Sequence, residues 1–185
     1  MRLNAFDNAG FDRGAARWKE ALWLGVSGLL VASWLPGSSW RVAVLRFFGA
    51  RLGQGVVVKP GVRVKFPWRL TVGDYCWIGE DVWIDNLAPV TLGSHVCLSQ
   101  GAYLCTGSHD WAKSAFDLIV KPIVIGDHAW LCAFSRVAPG TVVEEGAVLG
   151  FASVGGKVLH EWTVYSGNPA VPVKKRTVAE RHGES

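Results

Sequence analysis

The chain has 185 residues, half of them apolar, with 22 glycines and a net charge of +4. This length predicts one domain with room for one additional element, and the glycines and scarce charges favour short strands and turns over a helical bundle. The small positive charge suits an anionic ligand or a membrane surface, but it is too small to indicate nucleic acid, which we do not expect as a partner.

The cysteines predict a cytoplasmic protein. Four occur, at positions 76, 97, 105 and 132, and no pair has the Cys-x-x-Cys spacing of zinc or redox sites. Such scattered cysteines are typical of reduced thiols and indicate neither a disulfide frame nor a metal centre. No small-residue cleavage site follows the first apolar run, so we expect no secretory signal peptide.

Residues 1–50 are predicted to form an N-terminal helical segment. Residues 1–17 are polar, and we expect them to be loosely ordered. The stretch 18–35 is predicted to be a helix; its last fifteen residues carry no charge, but a bilayer span needs about 20. Two interpretations stay open: the helix packs on the protein's own flank or a neighbouring subunit, or it makes a peripheral contact at the inner membrane face. A second helix is predicted over 40–48.

A six-residue pattern begins near Leu52. Each unit opens with an aliphatic residue, at positions 72, 78, 84, 92, 98, 104, 125, 131, 137, 143 and 149, and has a small or β-branched residue in fifth place. The third place is polar in most units, as at Asp74, Asn86 and Thr106, although a straight strand would point it to the same side as the first and fifth. The chain must therefore bend once per unit, so that the third side chain escapes at a corner. This predicts an all-β solenoid with parallel coils.

The pattern slips by two residues between the units at 84 and 92, and it breaks off directly after His109. Residues 110–124 fit no unit, and the repeat resumes at Ile125. An excursion loop is therefore predicted over 110–124, with a histidine where the rigid repeat gives way to the loop.

The repeat resembles that of the hexapeptide-repeat, left-handed β-helix acetyltransferases, in which three units make one coil. The motif Thr-Gly-Ser-His-Asp at 106–110, the run 121–127 and the Gly-Asn-Pro-Ala element at 167–170 are similar to the colanic acid and exopolysaccharide biosynthesis O-acetyltransferase branch. The resemblance implies a β-helix domain over 51–170 and a basic tail over 171–185. It also implies acetyl-CoA as co-substrate, no metal, and a homotrimer with active sites in the clefts between subunits.

Stacking three units per coil places the sixth positions in three outward columns. These are Trp77, Cys97, Trp130 and Val148 on one face, Trp83, Tyr103, Arg136 and Val154 on the next, and Pro89, His109 and Val142 on the third. His109 is thus predicted to point outward between Pro89 and Val142. Surface tryptophans in such columns suggest cover by a neighbouring subunit, the N-terminal helices or a ligand.

His109 is the predicted general base. A sugar hydroxyl is a poor nucleophile at neutral pH, and a neutral imidazole within hydrogen-bond reach can take its proton as the oxygen attacks a thioester carbonyl. The resemblance implies a base at or within the excursion, where His109 stands. Asp110 is assigned with it, to position His109 or to contact the acceptor, with a plain turn residue as the alternative. We expect O-acetylation of a sugar hydroxyl in exopolysaccharide, capsule or lipid-linked glycan biosynthesis.

Four further residues are assigned to the acceptor. Asp81 and Asn86 lie where the family has polar acceptor-binding residues. Trp83, stacked with Tyr103 in its column, offers an aromatic platform to a sugar, with subunit packing as an equal alternative. Trp111, in the excursion, is expected to close over a ligand.

The resemblance also assigns the coenzyme A groove to the C-terminal coils. Small residues there let pantetheine lie close to the backbone, and basic residues after them suit the phosphates. The residues assigned on this basis are Ala133, Ser135, Ser153, Gly155, Lys157, Lys174 and Arg176.

Three other functions stay open. An antibiotic or other small-molecule O-acetyltransferase would share the fold and the base. A γ-class carbonic anhydrase-like metalloenzyme would need two zinc-binding histidines close in sequence, whereas His95, His109 and His128 are 14 and 19 residues apart. A non-catalytic solenoid scaffold would need neither the 106–110 motif nor the terminal Gly-Asn-Pro-Ala element.

Overall fold

Short strands separated by bends make up most of the chain from Arg51 onward. A computed structural model describes residues 2–178; residues 179–185, with His182 and the end of the predicted basic tail, lie outside the described residues. The strands are β1 (Arg51–Leu52), β2 (Val57–Val58), β3 (Arg63–Val64), β4 (Leu70–Val72), β5 (Trp77–Ile78), β6 (Trp83–Asp85), β7 (Val90–Leu92), β8 (Cys97–Leu98), β9 (Tyr103–Cys105), β10 (Gly107–His109), β11 (Leu118–Val120), β12 (Ile123–Ile125), β13 (Trp130–Leu131), β14 (Arg136–Val137), β15 (Val142–Val143), β16 (Val148–Leu149), β17 (Val154–Gly155), β18 (Val158–Leu159), β19 (Thr163–Gly167) and β20 (Ala170–Lys175).

Three sheets form the sides of a triangular coil. The first sheet has the order β1-β4-β7-β12-β15-β18, the second β2-β5-β8-β13-β16-β19-β20, and the third β3-β6-β9-β14-β17. Their strands pair in parallel, except that β20 folds back antiparallel on β19. Trp77 pairs with Cys97, and Cys97 with Trp130, so each coil lies directly on the one before. The predicted left-handed parallel β-helix is confirmed, as are the columns through Trp77 and Trp83.

The interior is a stack of aliphatic side chains from the first position of each unit. Ile78, Leu98 and Leu131 follow one another in the second sheet, and each is 0% exposed. Burial of one such side chain contributes about 1.5–3 kcal/mol, so the repeat itself stabilises the coil. The fifth-position residues are buried as well, except Ser108, which lies outside the coil.

Two third-position residues do not escape at a corner as predicted. Asn86 and Thr106 are both 0% exposed, because they follow the longer strands β6 and β9 and turn inward at the corner between the third and first sheets. The Thr106 hydroxyl donates to the Asp85 carbonyl oxygen at 2.9 Å and accepts from the Ala88 backbone N–H at 3.0 Å. The polar side chain is tolerated inside because it satisfies backbone groups there.

The excursion is a β-hairpin that begins earlier than predicted. β10 pairs antiparallel with β11, with His109 opposite Leu118, so the chain leaves the coil at Gly107 and rejoins it at Ile123. The predicted bounds of 110–124 and the third outward column are therefore wrong. Val124 lies between Thr91 and Val142 in the first sheet, and His109 stands on the hairpin instead.

All but one of the helices in the described residues precede the first coil. They are a 3-10 turn (Leu3–Ala5), α1 (Arg17–Val26) continued by a π-helical turn (Ser27–Val31), α2 (Ser39–Phe47) and a 3-10 turn within the first coil (Pro67–Arg69). Trp23 of α1 is buried, and its Nε1 donates to the Val64 carbonyl oxygen at 3.0 Å. The segment thus packs on the protein's own flank with one side, while Leu29 on its other side is exposed. Among the helices within residues 2–178, none is long and apolar enough to cross a membrane.

A buried arginine holds the two helices together. Arg41 of α2 is 0% exposed, and its guanidinium donates to the carbonyl oxygens of Val31 at 3.0 Å and of Ser33 and Leu35 at 2.6 Å. Carbonyls at and beyond a helix C-terminus lack partners within the helix, and a cation there is favourable.

Candidate active site

The hairpin fixes the backbone of His109 through local contacts. The Asp110 N–H donates to the Asp117 carbonyl oxygen at 2.9 Å, which continues the pairing of β10 with β11. The Asp110 carboxylate accepts from the Ala112 N–H at 3.0 Å. Asp110 therefore shapes the turn, and in this structure its carboxylate contacts the turn rather than the His109 ring.

A backbone carbonyl sets the tautomer of His109. Nδ1 lies 2.8 Å from the carbonyl oxygen of Phe116. A carbonyl oxygen can only accept a hydrogen bond, so Nδ1 carries the hydrogen in the neutral ring and Nε2 keeps its lone pair. This leaves an unprotonated nitrogen as proton acceptor, which is the state that a general base requires.

Two phenylalanines hold the His109 ring in place. The Phe116 ring stacks on it at 4.2 Å between centroids with a 3° angle between planes. The Phe6 ring meets it edge-on at 5.4 Å. The Arg2 N–H donates to the Ser114 carbonyl oxygen at 2.8 Å, which ties the N-terminal residues to the hairpin. The sequence interpretation missed Phe6, since it expected residues 1–17 to be loosely ordered.

The structure does not bring the predicted acceptor residues together around His109 in one subunit. Asp81 is exposed at the corner between the second and third sheets, in a left-handed conformation with φ of 58°, beside Gly61. His109 lies on the hairpin, which leaves the coil at the next corner, between the third and first sheets.

Asn86 is not available to an acceptor. It is fully buried, its side-chain oxygen accepts from the Phe66 N–H at 2.9 Å, and its side-chain nitrogen donates to the Phe66 carbonyl oxygen at 2.7 Å. The amide thus replaces a backbone partner for Phe66 in the preceding coil. Asn86 therefore has a structural role in this structure, in place of the predicted acceptor-binding role.

Trp83 and Tyr103 form a stack on the outer face of the third sheet. Their ring centroids are 4.7 Å apart, and the Arg63 guanidinium lies 4.5 Å from the Trp83 ring on the other side. The Tyr103 hydroxyl donates to the Asp85 carboxylate at 3.2 Å. Burial, with contributions from Cys105 and Asp85, raises the pKa of Tyr103, so its hydroxyl stays protonated. The predicted stack is present, but Tyr103 covers one face of the Trp83 ring and Arg63 the other, so neither face of this ring is free for a sugar in this structure.

Trp111 stands at the tip of the hairpin. Its side chain is 86% exposed. An exposed tryptophan two residues from His109 is free to contact a ligand or a second subunit.

The serine side chains assigned to the coenzyme A groove face the core. Ser135 is 0% exposed, and within residues 2–178 its hydroxyl has no hydrogen-bond partner. The Ser153 hydroxyl accepts from the Gly167 N–H at 2.9 Å. Gly155 is buried in β17, and Ala133 is half-buried. The fifth position of each unit points inward, so neither hydroxyl is exposed to coenzyme A. The predicted direct contact of these two serines with coenzyme A is therefore wrong.

A basic groove lies on the outer face of the second sheet. It has a volume of about 420 Å³, and its lining includes Trp130, Cys132, Val148, Lys174, Lys175 and Arg176. Burial raises the pKa of the Cys132 thiol and so keeps it protonated. Three cationic side chains beside an apolar floor suit a ligand with phosphates and an apolar arm.

The three basic residues of the groove differ in freedom. Arg176 donates to the carbonyl oxygens of His128 at 2.7 Å and Gly146 at 2.9 Å, and Lys175 donates to the Thr163 hydroxyl at 3.0 Å. Lys174 is exposed. Lys157 is exposed at the corner between the third and first sheets, with a left-handed φ of 62°, and does not line this groove.

The other predicted histidines stand apart from His109. His95 and His128 stack on each other at 5.1 Å, at the corner between the first and second sheets. Within the described part of the chain, no group of three or more His, Cys, Asp or Glu side chains is arranged to hold a metal ion.

Comparison with known proteins gives consistent relatives, although no protein-family model matches the chain. A protein of Escherichia coli (strain K12) named "Putative colanic acid biosynthesis acetyltransferase WcaF" is 43% identical over 170 residues, which cover 91% of this chain and 93% of that protein. The hexapeptide-repeat-containing acetyltransferase VCA0836 from Vibrio cholerae O1 biovar eltor, complexed with acetyl coenzyme A, has a TM-score of 0.79 at 27% identity and covers 89% and 92%. A galactoside acetyltransferase in complex with coenzyme A shares the fold, with a TM-score of 0.71 at 17% identity and coverage of 86% and 82%.

Proposed function

The chain belongs to the hexapeptide-repeat acetyltransferases, which use acetyl-CoA, and we propose that it acetylates a sugar hydroxyl in exopolysaccharide, capsule or lipid-linked glycan biosynthesis. The name of the Escherichia coli relative supports a polysaccharide acceptor. The observation that carries the chemistry is the hydrogen bond from His109 Nδ1 to the Phe116 carbonyl oxygen, because it leaves Nε2 as the proton acceptor.

In the proposed reaction His109 Nε2 takes the proton of the acceptor hydroxyl. The hydroxyl oxygen attacks the thioester carbonyl carbon of acetyl-CoA and forms a tetrahedral intermediate. The carbon–sulfur bond then breaks, the coenzyme A thiolate leaves, and it receives the proton from His109. The neutral imidazole is restored, and the enzyme forms no covalent intermediate. The Phe116 carbonyl oxygen stabilises the imidazolium while it exists, because it accepts the Nδ1 hydrogen throughout.

We propose that the working unit is a homotrimer whose copies complete each active site. In a triangular coil the corner between the third and first sheets lies opposite the second sheet. The hairpin with His109 leaves from that corner, whereas the basic groove lies on the second sheet. The base and the proposed coenzyme A groove of one subunit therefore face away from each other, which supports pairing of the base with a neighbour's groove. The exposed Trp77 and Trp130 on the second sheet support cover by that neighbour.

The test is acetyl transfer from labelled acetyl-CoA to a panel of nucleotide sugars, polysaccharide repeat units and one antibiotic acceptor. Transfer to a glycan is expected, and His109→Ala should lower turnover by about 10²–10⁴. His95→Ala, which removes an exposed histidine from another corner, serves as the matched control and should leave turnover unchanged. Unaltered turnover in His109→Ala would refute the base, and transfer to the antibiotic alone would favour the small-molecule alternative.

A further inference from the structure

The helical segment before the coil exposes apolar side chains on its outer side. Trp18, Leu22 and Leu29 follow the four- and seven-residue spacing of one helix side, and they are 71%, 50% and 78% exposed. Trp34, just beyond the π-helical turn, is 82% exposed. We call these four residues the N-terminal apolar surface. A helix on the surface of a water-soluble domain normally has polar residues on its outer side. We therefore expect another molecule to cover the N-terminal apolar surface.

From Ala21 to Gly73 the charged residues are of one sign, and Glu20, just before this stretch, is paired with Arg13. No Asp or Glu occurs between Glu20 and Asp74, while this stretch holds seven Arg and Lys residues. Twelve of the fifteen acidic residues lie from Asp74 onward. Arg41 binds carbonyl oxygens within the helical segment, whereas Arg63 and Lys65 of the first coil are exposed and line one cavity with Leu24 of α1. An acid-free, basic region next to an apolar surface complements an anionic, amphiphilic partner.

We propose that the N-terminal apolar surface rests in the interface of a lipid bilayer that contains anionic lipid. Trp18 and Trp34 stand near the two ends of the apolar stretch, and tryptophan favours the headgroup level of a membrane. The helices are too short to span, so the segment lies along the interface. A second copy is the less suitable occupant, because it would bring its own acid-free basic stretch, and the column with Trp77 and Trp130 already offers an apolar face for contacts between copies. This inference does not depend on the reaction that the enzyme performs.

The test measures co-sedimentation of the full-length protein with vesicles. One set contains equal parts of phosphatidylglycerol and phosphatidylcholine, and the other contains phosphatidylcholine alone. The protein should bind the anionic vesicles more tightly, and added salt should weaken that binding. Leu29→Glu and Trp34→Glu should each lower binding at least about tenfold, because a carboxylate is costly to bury in lipid. Trp111→Glu is the matched control, since Trp111 is equally exposed but on the hairpin, and it should bind as the wild type does.

Two further measurements keep the result unambiguous. Near-ultraviolet circular dichroism checks that each variant is folded. Brominated lipids in the vesicles should quench wild-type tryptophan fluorescence, and the conservative double variant Trp18→Phe/Trp34→Phe should lose part of that quenching. The proposal is overturned if the wild type binds neither vesicle, or if the glutamate variants bind as well as Trp111→Glu does. Sedimentation velocity tests the other possible occupant, a second copy of the chain. If Leu29→Glu dissociates an oligomer and the protein does not bind vesicles, the N-terminal apolar surface is a contact between copies.

Discussion

The coils of the β-helix and the hairpin from Gly107 to Val120 differ in how many neighbours hold each residue. Within the stack, a strand such as β9 pairs with one strand on each side, and its Leu104 is fully buried. In the hairpin, β10 has β11 as its single partner strand among residues 2–178, and its residues are exposed or half-buried. His109 stands three residues beyond the buried Thr106. The coil thus gives the hairpin a rigid support, and the hairpin carries the proposed general base.

The largest effect should come from a cavity in the coil. Leu104→Ala removes a fully buried side chain from the third sheet, and we expect the free energy of unfolding to fall by about 2–5 kcal/mol. Urea unfolding measures it. Ser108→Ala, an exposed change four residues later, is the control and should shift that free energy by less than about 0.5 kcal/mol. Equal losses would contradict the contrast between coil and hairpin.

Asn86→Ala should reduce stability rather than acceptor binding. It leaves the buried Phe66 N–H without its partner, and a buried unpaired group costs about 1–3 kcal/mol, while the Phe66 carbonyl oxygen keeps its hydrogen bond from the Arg69 N–H at 2.9 Å. Unfolding in urea and the acceptor KM of the folded fraction separate the two roles. A raised KM at unchanged stability would restore the acceptor-binding role.

A second variant at this position adds a pH test. Asn86→Asp keeps an acceptor for the Phe66 N–H, but at neutral pH it has no donor and buries a charge, which raises the pKa of the new carboxyl in the folded state. A raised folded pKa gives stability that is present below the unfolded pKa and lost as pH rises. Relative to the wild type, Asn86→Asp should therefore be more stable at pH 4 than at pH 7, and the opposite trend would argue against the Phe66 contact.

The same contrast explains how much the sequence could predict. In the coil each unit repeats the same burial, so aliphatic positions such as Ile78 and Leu98 define the fold and the first two columns. At the hairpin the repeat stops, and counting by six could not tell that the chain leaves at Gly107 or that Val124 takes the place given to His109. Phe6 reaches His109 from more than a hundred residues away with no periodic pattern to reveal it.

Lys174→Glu tests the basic groove on the coil side of the proposed site. Lys174 is exposed and lines the groove, so reversing its charge should raise the KM for acetyl-CoA by about tenfold through loss of attraction to phosphate. The kcat should change little, because Lys174 is proposed to hold the coenzyme A phosphates and not the reacting atoms. Steady-state kinetics give both values, and Lys65→Glu, at an exposed position on the first coil, is the control. An unchanged KM would move the coenzyme A phosphates away from this groove.

Phe6→Ala should have the smallest effect, and the effect should be confined to the step carried out by His109 on the hairpin. The Phe6 ring meets the His109 ring edge-on at 5.4 Å, a contact worth about 0.5–1.5 kcal/mol. We expect part of this to appear as a fall in kcat of about twofold to fivefold, because the imidazole gains freedom. The KM for acetyl-CoA should stay the same, which is the reverse of Lys174→Glu. Leu3→Ala, a similarly placed but exposed side chain, controls for general loosening of the N-terminal residues, and Phe6→Tyr should keep the ring contact and the rate. If Phe6→Ala instead raises the KM while kcat is unaltered, Phe6 acts on substrate binding and does not position His109.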